Sequence, residues 1–168
     1  MTVSVEIINQ LNDNYSYLIS SNENNSGIII DPAETNKILD VLKKKKLNLN
    51  YIFITHHHSD HTSGVAGLVK AYPEVKIFSP SELNSISVNL ISDGNTITTN
   101  INEFEVIHTP GHTLDHIILC DQKNNLIHIN PGAAGNHGFH PIKTIVRFDL
   151  DKGKIGQLEV IELGKRGI

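Results

Sequence analysis

Short apolar runs separated by polar turns recur along the chain and determine its predicted secondary structure. The first half is predicted to contain five strands, at residues 3–8, 15–19, 27–30, 51–54 and 75–78. The runs at 27–30 and 51–54 are uninterrupted, which is typical of strands buried on both faces. Apolar residues at helical spacing predict a helix over 35–45, and a second helix is predicted to begin at Ser63 and to end before Pro73. Strand and helix therefore alternate, which favours an α/β fold.

The second half of the chain is predicted to be mostly strand. Its apolar runs lie at residues 95–98, 104–107, 117–120, 126–129, 144–150 and 155–163. The last four runs are expected to form two hairpins, because a short polar turn closes each pair. No repeat or linker interrupts the chain, and a length of 168 residues is enough to bury a core. We therefore predict one domain over residues 1–168.

Composition argues against several classes of partner. A net charge of −4 gives no basic surface for nucleic acid. No apolar run approaches the roughly 20 residues that a membrane-spanning helix needs. The single cysteine, Cys120, cannot form an internal disulfide and ends an apolar run, so it is expected to be a buried structural thiol. These features predict a cytoplasmic protein with no nucleic-acid or membrane partner.

Histidine is the one unusual feature of the composition, and four of the ten histidines fall within residues 55–61. This first histidine cluster, Thr-His-His-His-Ser-Asp-His, follows the strand predicted at 51–54, and strand ends are where α/β sheets carry their sites. Residues two apart share one side of an extended backbone, which would bring together His56, His58 and Asp60. His57 would then point away. His61 breaks the alternation, which suggests a second metal beside the first.

A second histidine cluster, residues 109–116, also follows a predicted strand. Pro110 stiffens the chain and Gly111 permits a sharp turn, so His112 is expected at the strand end. His116 is interpreted either as a support for a metal ligand or as a purely structural residue.

Together the two clusters predict a metal centre. Imidazole nitrogen and carboxylate oxygen are ligands that zinc takes, and catalytic zinc sites keep one position open for water. One metal is predicted to be bound by His56, His58 and His112. Asp60 and His61 would begin a second site, and two metals about 3.5–4 Å apart can polarise a carbonyl or phosphoryl oxygen. One or two zinc ions are expected, with iron or manganese as alternatives.

The sequence around these clusters resembles the metallo-β-lactamase superfamily. Residues 55–64 contain a match to its H-x-H-x-D-H motif, and about residues 1–118 are similar to the glyoxalase II (hydroxyacylglutathione hydrolase) family. The segments that carry this second resemblance are residues 11–18, 30–32, 93–94 and 109–113. The resemblance implies an αββα layered sandwich, with two packed sheets and helices outside. It also implies hydrolysis of a thioester by metal-bound hydroxide, with the five ligands named above and with Asp60 in catalysis.

The second half departs from the glyoxalase II pattern. Asn130 stands where that family has an aspartate that bridges two metals, and a neutral amide is a poor bridge between cations. His137 and His140 are candidates for a late metal ligand of that family, with an ordinary surface loop as the alternative for each. Residues 124–168 instead resemble the C-terminus of small bacterial calcineurin-like metallophosphoesterases, so the chain looks chimeric.

Three functions follow from these patterns. The first is a metal-dependent hydrolase that cleaves a thioester of the hydroxyacylglutathione type. The second is a metallophosphoesterase, which the C-terminal resemblance favours. The third is a folded metal-binding protein with little or no activity, because its second metal site is incomplete.

Overall fold

The computed structural model describes residues 3–121, 126–128, 142–151 and 154–165. The chain divides into two compact units. The first unit comprises Met1–Ile91 and Thr99–Ile101, and the second comprises Ser92–Thr98 and Asn102–Ile168. The single domain expected from the sequence stays a prediction.

A six-stranded mixed sheet forms the base of the first unit. Its strands are β1 (Val3–Gln10), β2 (Asn14–Ser21), β3 (Ser26–Ile30), β4 (Asn48–Phe53), β5 (Lys76–Ser79) and β6 (Asn89–Leu90). They are hydrogen-bonded in chain order. The pairs β1–β2 and β2–β3 are antiparallel, whereas β3–β4, β4–β5 and β5–β6 are parallel. The carboxyl ends of β3 and β4 therefore lie side by side at one edge of the sheet.

Three helices belong to the first unit: α1 (Thr35–Lys45), α2 (Ser59–Thr62) and α3 (Val65–Ala71). The predicted helix over 35–45 is confirmed at both ends, and Ile38 and Leu42 are its buried face. The helix predicted from Ser63 is wrong in its start, because two helices flank that residue. Strand β6 was not predicted, since both of its residues are exposed and carry no apolar pattern.

The core of the first unit is aliphatic and lies against the sheet. Every residue of β3 is buried, as its uninterrupted apolar run predicts. The hydrophobic cluster contains Ile29 and Ile52 from the adjacent strands β3 and β4, together with Leu68 of α3. This packing fixes the ends of β3 and β4. The first histidine cluster follows β4, so the packing also sets where its polar side chains begin.

The described strands of the second unit pair in antiparallel fashion. One sheet has the order β10-β9-β8-β7, and the strands are β7 (Thr96–Thr98), β8 (Glu103–His108), β9 (Ile117–Asp121) and β10 (Leu126–His128). A separate hairpin pairs β11 (Ile142–Asp151) with β12 (Lys154–Lys165). Both predicted hairpins of the second half are thus confirmed. In the part of the chain that the structure describes, no helix is long and apolar enough to cross a membrane.

Candidate metal centre

Asp31 and Thr55 meet at the carboxyl ends of β3 and β4. The two strands pair in parallel as far as Ile30 and Phe53, and the amide of Asp31 donates to the carbonyl of Phe53 at 2.9 Å. Asp31 has a left-handed backbone, with φ of 54°, which turns the chain sharply out of the sheet. The residues that follow the two strands are consequently held next to each other.

The Asp31 carboxylate accepts two hydrogen bonds from Thr55. The Thr55 amide donates to Oδ1 at 2.8 Å, and the Thr55 hydroxyl donates to Oδ2 at 2.7 Å. Asp31 is only 3% exposed, so the paired donors offset the cost of burying its charge. These bonds attach the start of the first histidine cluster to the end of β3.

Thr55 also contacts the ring of His56. Its Oγ1 lies 3.0 Å from His56 Nδ1, and His56 is fully buried. Because the one hydroxyl hydrogen of Thr55 goes to Asp31, the oxygen accepts a hydrogen bond from Nδ1–H of His56. That tautomer leaves the lone pair of the other ring nitrogen, Nε2, available to a metal.

Strand β4 ends at Phe53 and residues 55–57 form bends, so the expectation that Asp60 continues an extended alternation is wrong. Helix α2 begins at Ser59, and the amide of His61 donates to the carbonyl of His58 at 3.0 Å. A helical turn gives these backbone groups partners that an extended chain beyond the sheet edge would lack.

The same turn brings His61 back towards His56. Their ring centroids are 4.2 Å apart, and those of His56 and His58 are 4.8 Å apart. His57 is exposed, as the sequence predicts.

His61 lies between two carboxylates. Its Nδ1 is 3.0 Å from Oδ2 of Asp31, and its Nε2 is 3.6 Å from Oδ2 of Asp60. Two ligand atoms of one tetrahedral zinc ion are separated by about 3.4 Å, because each bond is about 2.0–2.1 Å long. The spacing of His61 Nε2 and Asp60 Oδ2 therefore suits two ligands of one metal.

Asn14, at the start of β2, holds Asp60. Its amide nitrogen donates to Asp60 Oδ2 at 2.9 Å and to the Asp60 carbonyl at 3.2 Å. Partial burial raises the pKa of Asp60, but the Asn14 hydrogen bond and the charges of His61 and His58 outweigh it and lower the pKa overall. Asp60 is accordingly ionised at neutral pH, as a metal ligand must be.

The pKa of His61 is shifted in the opposite direction. Burial lowers the pKa of its imidazole, but the hydrogen bond and charge of Asp31 and the charge of Asp60 raise the pKa overall. Asp31, His56 and His61 each offer one ligand atom within 4.8 Å of the others. Imidazole nitrogen with carboxylate oxygen is the donor chemistry that zinc and iron sites use, so the residues of this unit fit a metal ion.

Gly64 fixes α2 and α3 against the loop after β3. Its amide donates to the carbonyl of Pro32 at 2.8 Å, and its carbonyl accepts from Thr35 Oγ1 at 3.1 Å. A Cβ added at Gly64 would lie 2.7 Å from the Pro32 carbonyl oxygen, closer than a Cβ atom comes to a non-bonded neighbour in a folded chain. The glycine thus permits the close backbone contact that positions Asp60 and His61.

The second histidine cluster, in the second unit, is closed by its own threonine. The Thr109 amide donates to the His116 carbonyl at 2.8 Å, and Thr109 Oγ1 lies 2.8 Å from His116 Nδ1. His112 is half-buried in a tight turn in which the Gly111 amide donates to the Thr113 carbonyl at 3.0 Å. The turn predicted around Gly111 is therefore present.

Two further residues of the second unit have structural roles. His108 is exposed, and its Nε2 lies 2.7 Å from the Leu114 carbonyl oxygen. Cys120 is buried as predicted, and burial, followed by the charges of Glu105 and Asp121, raises the pKa of its thiol. Asn130, His137 and His140 lie outside the described residues.

Sequence reasoning missed Asn14, Asp31 and Thr55 as parts of the site. Asp31 had a usable signal, because it ends one buried strand just as Thr55 follows another. Parallel pairing of neighbouring buried strands would have placed the two together. Asn14 had no such signal, since 46 residues separate it from Asp60.

Comparison with known proteins finds matches across most of the chain. A family model described as the metallo-beta-lactamase superfamily matches residues 11–129. A hydroxyacylglutathione hydrolase from Pseudoalteromonas translucida is 39% identical over 123 residues, which are 72% of this chain and 48% of that protein. The chain spans about half the length of the curated relatives it matches.

Two solved structures have a similar fold. ETHE1 from Myxococcus xanthus has a TM-score of 0.63 at 21% identity, over 80% of this chain and 62% of that chain. TTHA1623, solved in a di-iron-bound form, has a TM-score of 0.58 at 21% identity, over 76% of this chain and 75% of that chain. The α/β fold class expected from the sequence is confirmed by these likenesses.

Proposed function

Because this chain belongs to the metallo-β-lactamase superfamily, we propose that it is a metal-dependent hydrolase that cleaves a thioester of the hydroxyacylglutathione type. The observation that carries this proposal is the 39% identity with a hydroxyacylglutathione hydrolase over a segment of 123 residues. The arrangement of Asp31, Thr55 and the first histidine cluster supports it independently, since buried imidazole and carboxylate groups are ordered there by hydrogen bonds.

We propose that His56, His58 and His112 hold one metal and that Asp60 and His61 contribute to a second. The contact between the rings of His56 and His58 supports the first assignment, and the 3.6 Å spacing of His61 Nε2 and Asp60 Oδ2 supports the second. Zinc is the proposed metal because its sites combine histidine and aspartate. Iron and manganese are the alternatives, and one solved relative of the fold carries two irons.

A bound metal would polarise the thioester carbonyl and lower the pKa of water. Asp60 is the proposed catalytic residue, because its ionised carboxylate can accept a hydrogen bond from the attacking water and orient it. Asn14 keeps that carboxylate in place through its 2.9 Å hydrogen bond to Oδ2. His56 contributes as a neutral imidazole whose Nδ1 is bound to Thr55.

The remaining features of the proposal concern the whole protein. We propose a single cytoplasmic domain with a small-molecule thioester as its substrate. The one cysteine, Cys120, is buried and unbridged, which supports a reducing compartment. The neutral amide of Asn130 supports weak activity or occupancy by a single metal, because the second site then has no bridging carboxylate.

One experiment tests the function directly. Metal content and S-lactoylglutathione hydrolysis are measured for the intact chain, for a variant with both His56→Ala and His58→Ala, and for His57→Ala as the matched control. We expect metal and hydrolysis in the intact chain and in the control, and neither in the double variant. Metal-free intact protein, or hydrolysis that survives the double substitution, would contradict the proposal.

Two added measurements separate the alternatives. Turnover of bis-p-nitrophenyl phosphate without thioester hydrolysis would establish the metallophosphoesterase instead. A chelator-sensitive melting temperature without turnover of either substrate would identify a metal-binding protein that lacks activity.

A further inference from the structure

We propose that a cavity beside the proposed metal centre receives the acyl group of the thioester, and that this acyl group is an uncharged hydroxyacyl chain longer than lactoyl. The inference rests on the proposed hydrolase, because it specifies which substrates that site accepts. The cavity has a volume of about 690 Å³, and all of its lining residues belong to the first unit. Sites for small molecules commonly have volumes of about 300–1,000 Å³, so a ligand of this kind has room.

Helix α2 connects the cavity with the proposed ligands. Its first and last residues, Ser59 and Thr62, line the cavity. The two residues between them, Asp60 and His61, are proposed metal ligands whose side chains approach to 3.6 Å. A helical turn rises only about 5.4 Å, so the cavity begins within one turn of the proposed ligands.

The hydroxyl groups of α2 and the residue after it leave acceptor oxygens for a ligand. The Thr62 hydroxyl donates its hydrogen to the His58 carbonyl at 3.1 Å, and the Ser63 hydroxyl donates to the Ser59 carbonyl at 2.6 Å. A hydroxyl has one hydrogen and two lone pairs, so both oxygens can still accept. Glu82, in the loop after β5, adds a carboxylate to the lining, and a carboxylate only accepts.

Two other side chains of the lining can donate as well as accept. Among the described residues, neither the Ser59 hydroxyl nor the Asn84 side-chain amide makes a hydrogen bond, and both residues are exposed. A ligand hydroxyl can accept from these two groups and donate to the acceptor oxygens. A carboxylate could only accept and an ammonium group could only donate, so a hydroxyl matches the lining best.

Charge determines which end of the thioester suits the cavity. No described residue that lines it is a lysine or an arginine, and Glu82 contributes a carboxylate. The two carboxylates of glutathione would find no cationic partner here and would be repelled by Glu82. We therefore assign the cavity to the acyl end of the thioester.

The apolar part of the lining favours a chain longer than lactoyl. Leu83 and Ile86 line the cavity together with Ala66 of α3. At about 30 Å³ for each non-hydrogen atom, the share of a water molecule in the liquid, the five such atoms of a lactoyl group fill about 150 Å³. A chain of about six carbons would cover more of the apolar side chains, and each buried methylene group adds to binding.

The loop that carries Leu83 and Ile86 has a fixed shape. These residues form a β-bridge in which the Ile86 amide donates to the Leu83 carbonyl at 3.2 Å, and both side chains pack against the hydrophobic core. The buried hydroxyl of Ser79, at the end of β5, donates to the Ser81 carbonyl at 2.7 Å. The cavity is therefore formed before a ligand arrives, which lowers the cost of binding.

The first test uses metal-free protein and the uncharged probe 6-hydroxyhexanamide, which contains no glutathione. Carbon-13 NMR of alanine methyl groups reports on Ala66, which lines the cavity, and on Ala71, an exposed residue of α3 that does not. We expect a saturable shift of the Ala66 methyl group and no shift of the Ala71 methyl group. An Ala66 methyl group that does not respond would overturn the inference.

Two matched probes test the chemistry of the ligand. Hexanamide lacks the hydroxyl group, and adipamate carries a carboxylate in its place. We expect each to bind about 2–10-fold more weakly than 6-hydroxyhexanamide, the range of one hydrogen bond. Adipamate that binds as tightly as 6-hydroxyhexanamide would contradict the proposed ligand class.

Hydrolysis then tests whether the cavity receives the acyl group. Ala66→Leu adds bulk to the cavity and keeps a good helix former, and Ala71→Leu is the matched control on the same helix. We expect the intact chain and the control to have a higher kcat/KM for S-(6-hydroxyhexanoyl)glutathione than for S-lactoylglutathione. In Ala66→Leu the ratio of these two values should fall about 10-fold or more. An unchanged ratio, in a variant whose thermal melting shows that it is folded, would overturn the inference.

The two kinds of measurement separate this inference from the proposed function. Thioester hydrolysis without probe binding at Ala66 would overturn the inference and leave the proposed function intact. Probe binding in a chain that hydrolyses no thioester would refute the proposed function and the acyl assignment, but it would establish the cavity as a site for hydroxylated ligands.

Discussion

The two histidine clusters use the same pair of residue types in different surroundings. In the first unit, the hydroxyl of Thr55 lies 3.0 Å from Nδ1 of His56 and donates a hydrogen bond to the Asp31 carboxylate. In the second unit, the hydroxyl of Thr109 lies 2.8 Å from Nδ1 of His116. Thr109 also binds His116 through the backbone, so this pair closes a loop between two strands.

The difference lies in what each pair orders. The first pair, Thr55 and His56, belongs to a series of buried polar groups that ends at the Asp31 carboxylate, and His56 is itself a proposed ligand. The second pair acts on His116, which is fully buried, while the proposed ligand His112 is positioned by the backbone turn at Gly111. Side-chain networks order the first cluster, and backbone geometry shapes the second, which suggests different consequences of mutation.

The largest expected contrast is between two histidines of the second unit, His112 and His108. His112→Ala removes a proposed ligand, so we expect zinc affinity to fall more than about 100-fold, beyond the effect of losing a supporting group. His108→Ala is the control, since its ring contacts only the exposed loop carbonyl of Leu114 among the described hydrogen bonds. Isothermal titration with zinc measures both. Equal affinity of His112→Ala and the intact chain would remove His112 from the proposed site.

Next in size is a comparison of the two threonines. Thr109→Val leaves a buried imidazole nitrogen without its hydroxyl partner, which costs about 1–3 kcal/mol in the free energy of unfolding. We expect zinc affinity to stay unchanged, whereas Thr55→Val removes a hydroxyl that contacts the proposed ligand His56 and should weaken zinc binding. Urea denaturation of metal-free protein gives the stability of each variant. If Thr109→Val also weakened zinc binding strongly, His116 would be a support for a ligand rather than a loop closure.

Gly64→Ala tests whether the first cluster depends on its close backbone contact. The added Cβ would press on the Pro32 carbonyl, so we expect a loss of about 1–3 kcal/mol in stability, as for other overpacked sites. Ala66→Ser, at an exposed position of α3, is the control and should cost less than about 0.5 kcal/mol. Thermal melting monitors both variants, and equal melting temperatures would show that the contact relaxes at no cost.

The smallest expected effect concerns Asp60 in metal-free protein. Its pKa is lowered in the folded state, so its ionisation stabilises the fold above its unfolded pKa of about 3.9, and this contribution disappears as pH falls through the folded pKa. Asn14→Ala removes the main favourable contact. We therefore expect the stability difference between the intact chain and the variant to shrink in acid. Urea denaturation from pH 7 downwards measures the unfolding free energy of both proteins. A difference between them that does not change with pH would contradict the predicted contribution of Asp60 ionisation.

Much of the fold could be predicted from local patterns. Helix α1 was predicted at its observed ends because its apolar face repeats over three turns. The hairpins β9–β10 and β11–β12 were predicted because polar turns separate matching apolar runs. Helix α2 escaped prediction, since four residues are too few to show a helical period.

The proposed ligands could be named from the sequence, where their role stays a prediction, whereas the residues that contact them could not. His56, His58, Asp60, His61 and His112 were all named from residue type and spacing. Asp31 is 24 residues from Thr55 in sequence, and their contact depends on which strands pair. The similarity to glyoxalase II is confirmed by the curated relatives. The calcineurin-like resemblance of residues 124–168 stays a prediction.

The left-handed backbone of Asp31 restricts which residue types can occupy this position, in natural selection or in a mutant library. At a φ of 54°, glycine, asparagine and aspartate are tolerated, while branched and bulky side chains are penalised. Glycine offers no acceptor, and asparagine has a single acceptor oxygen. Of these three residue types, only aspartate supplies two acceptor oxygens and a full negative charge. Saturation mutagenesis at this codon should therefore return the parent residue almost exclusively when metal retention is the selected trait.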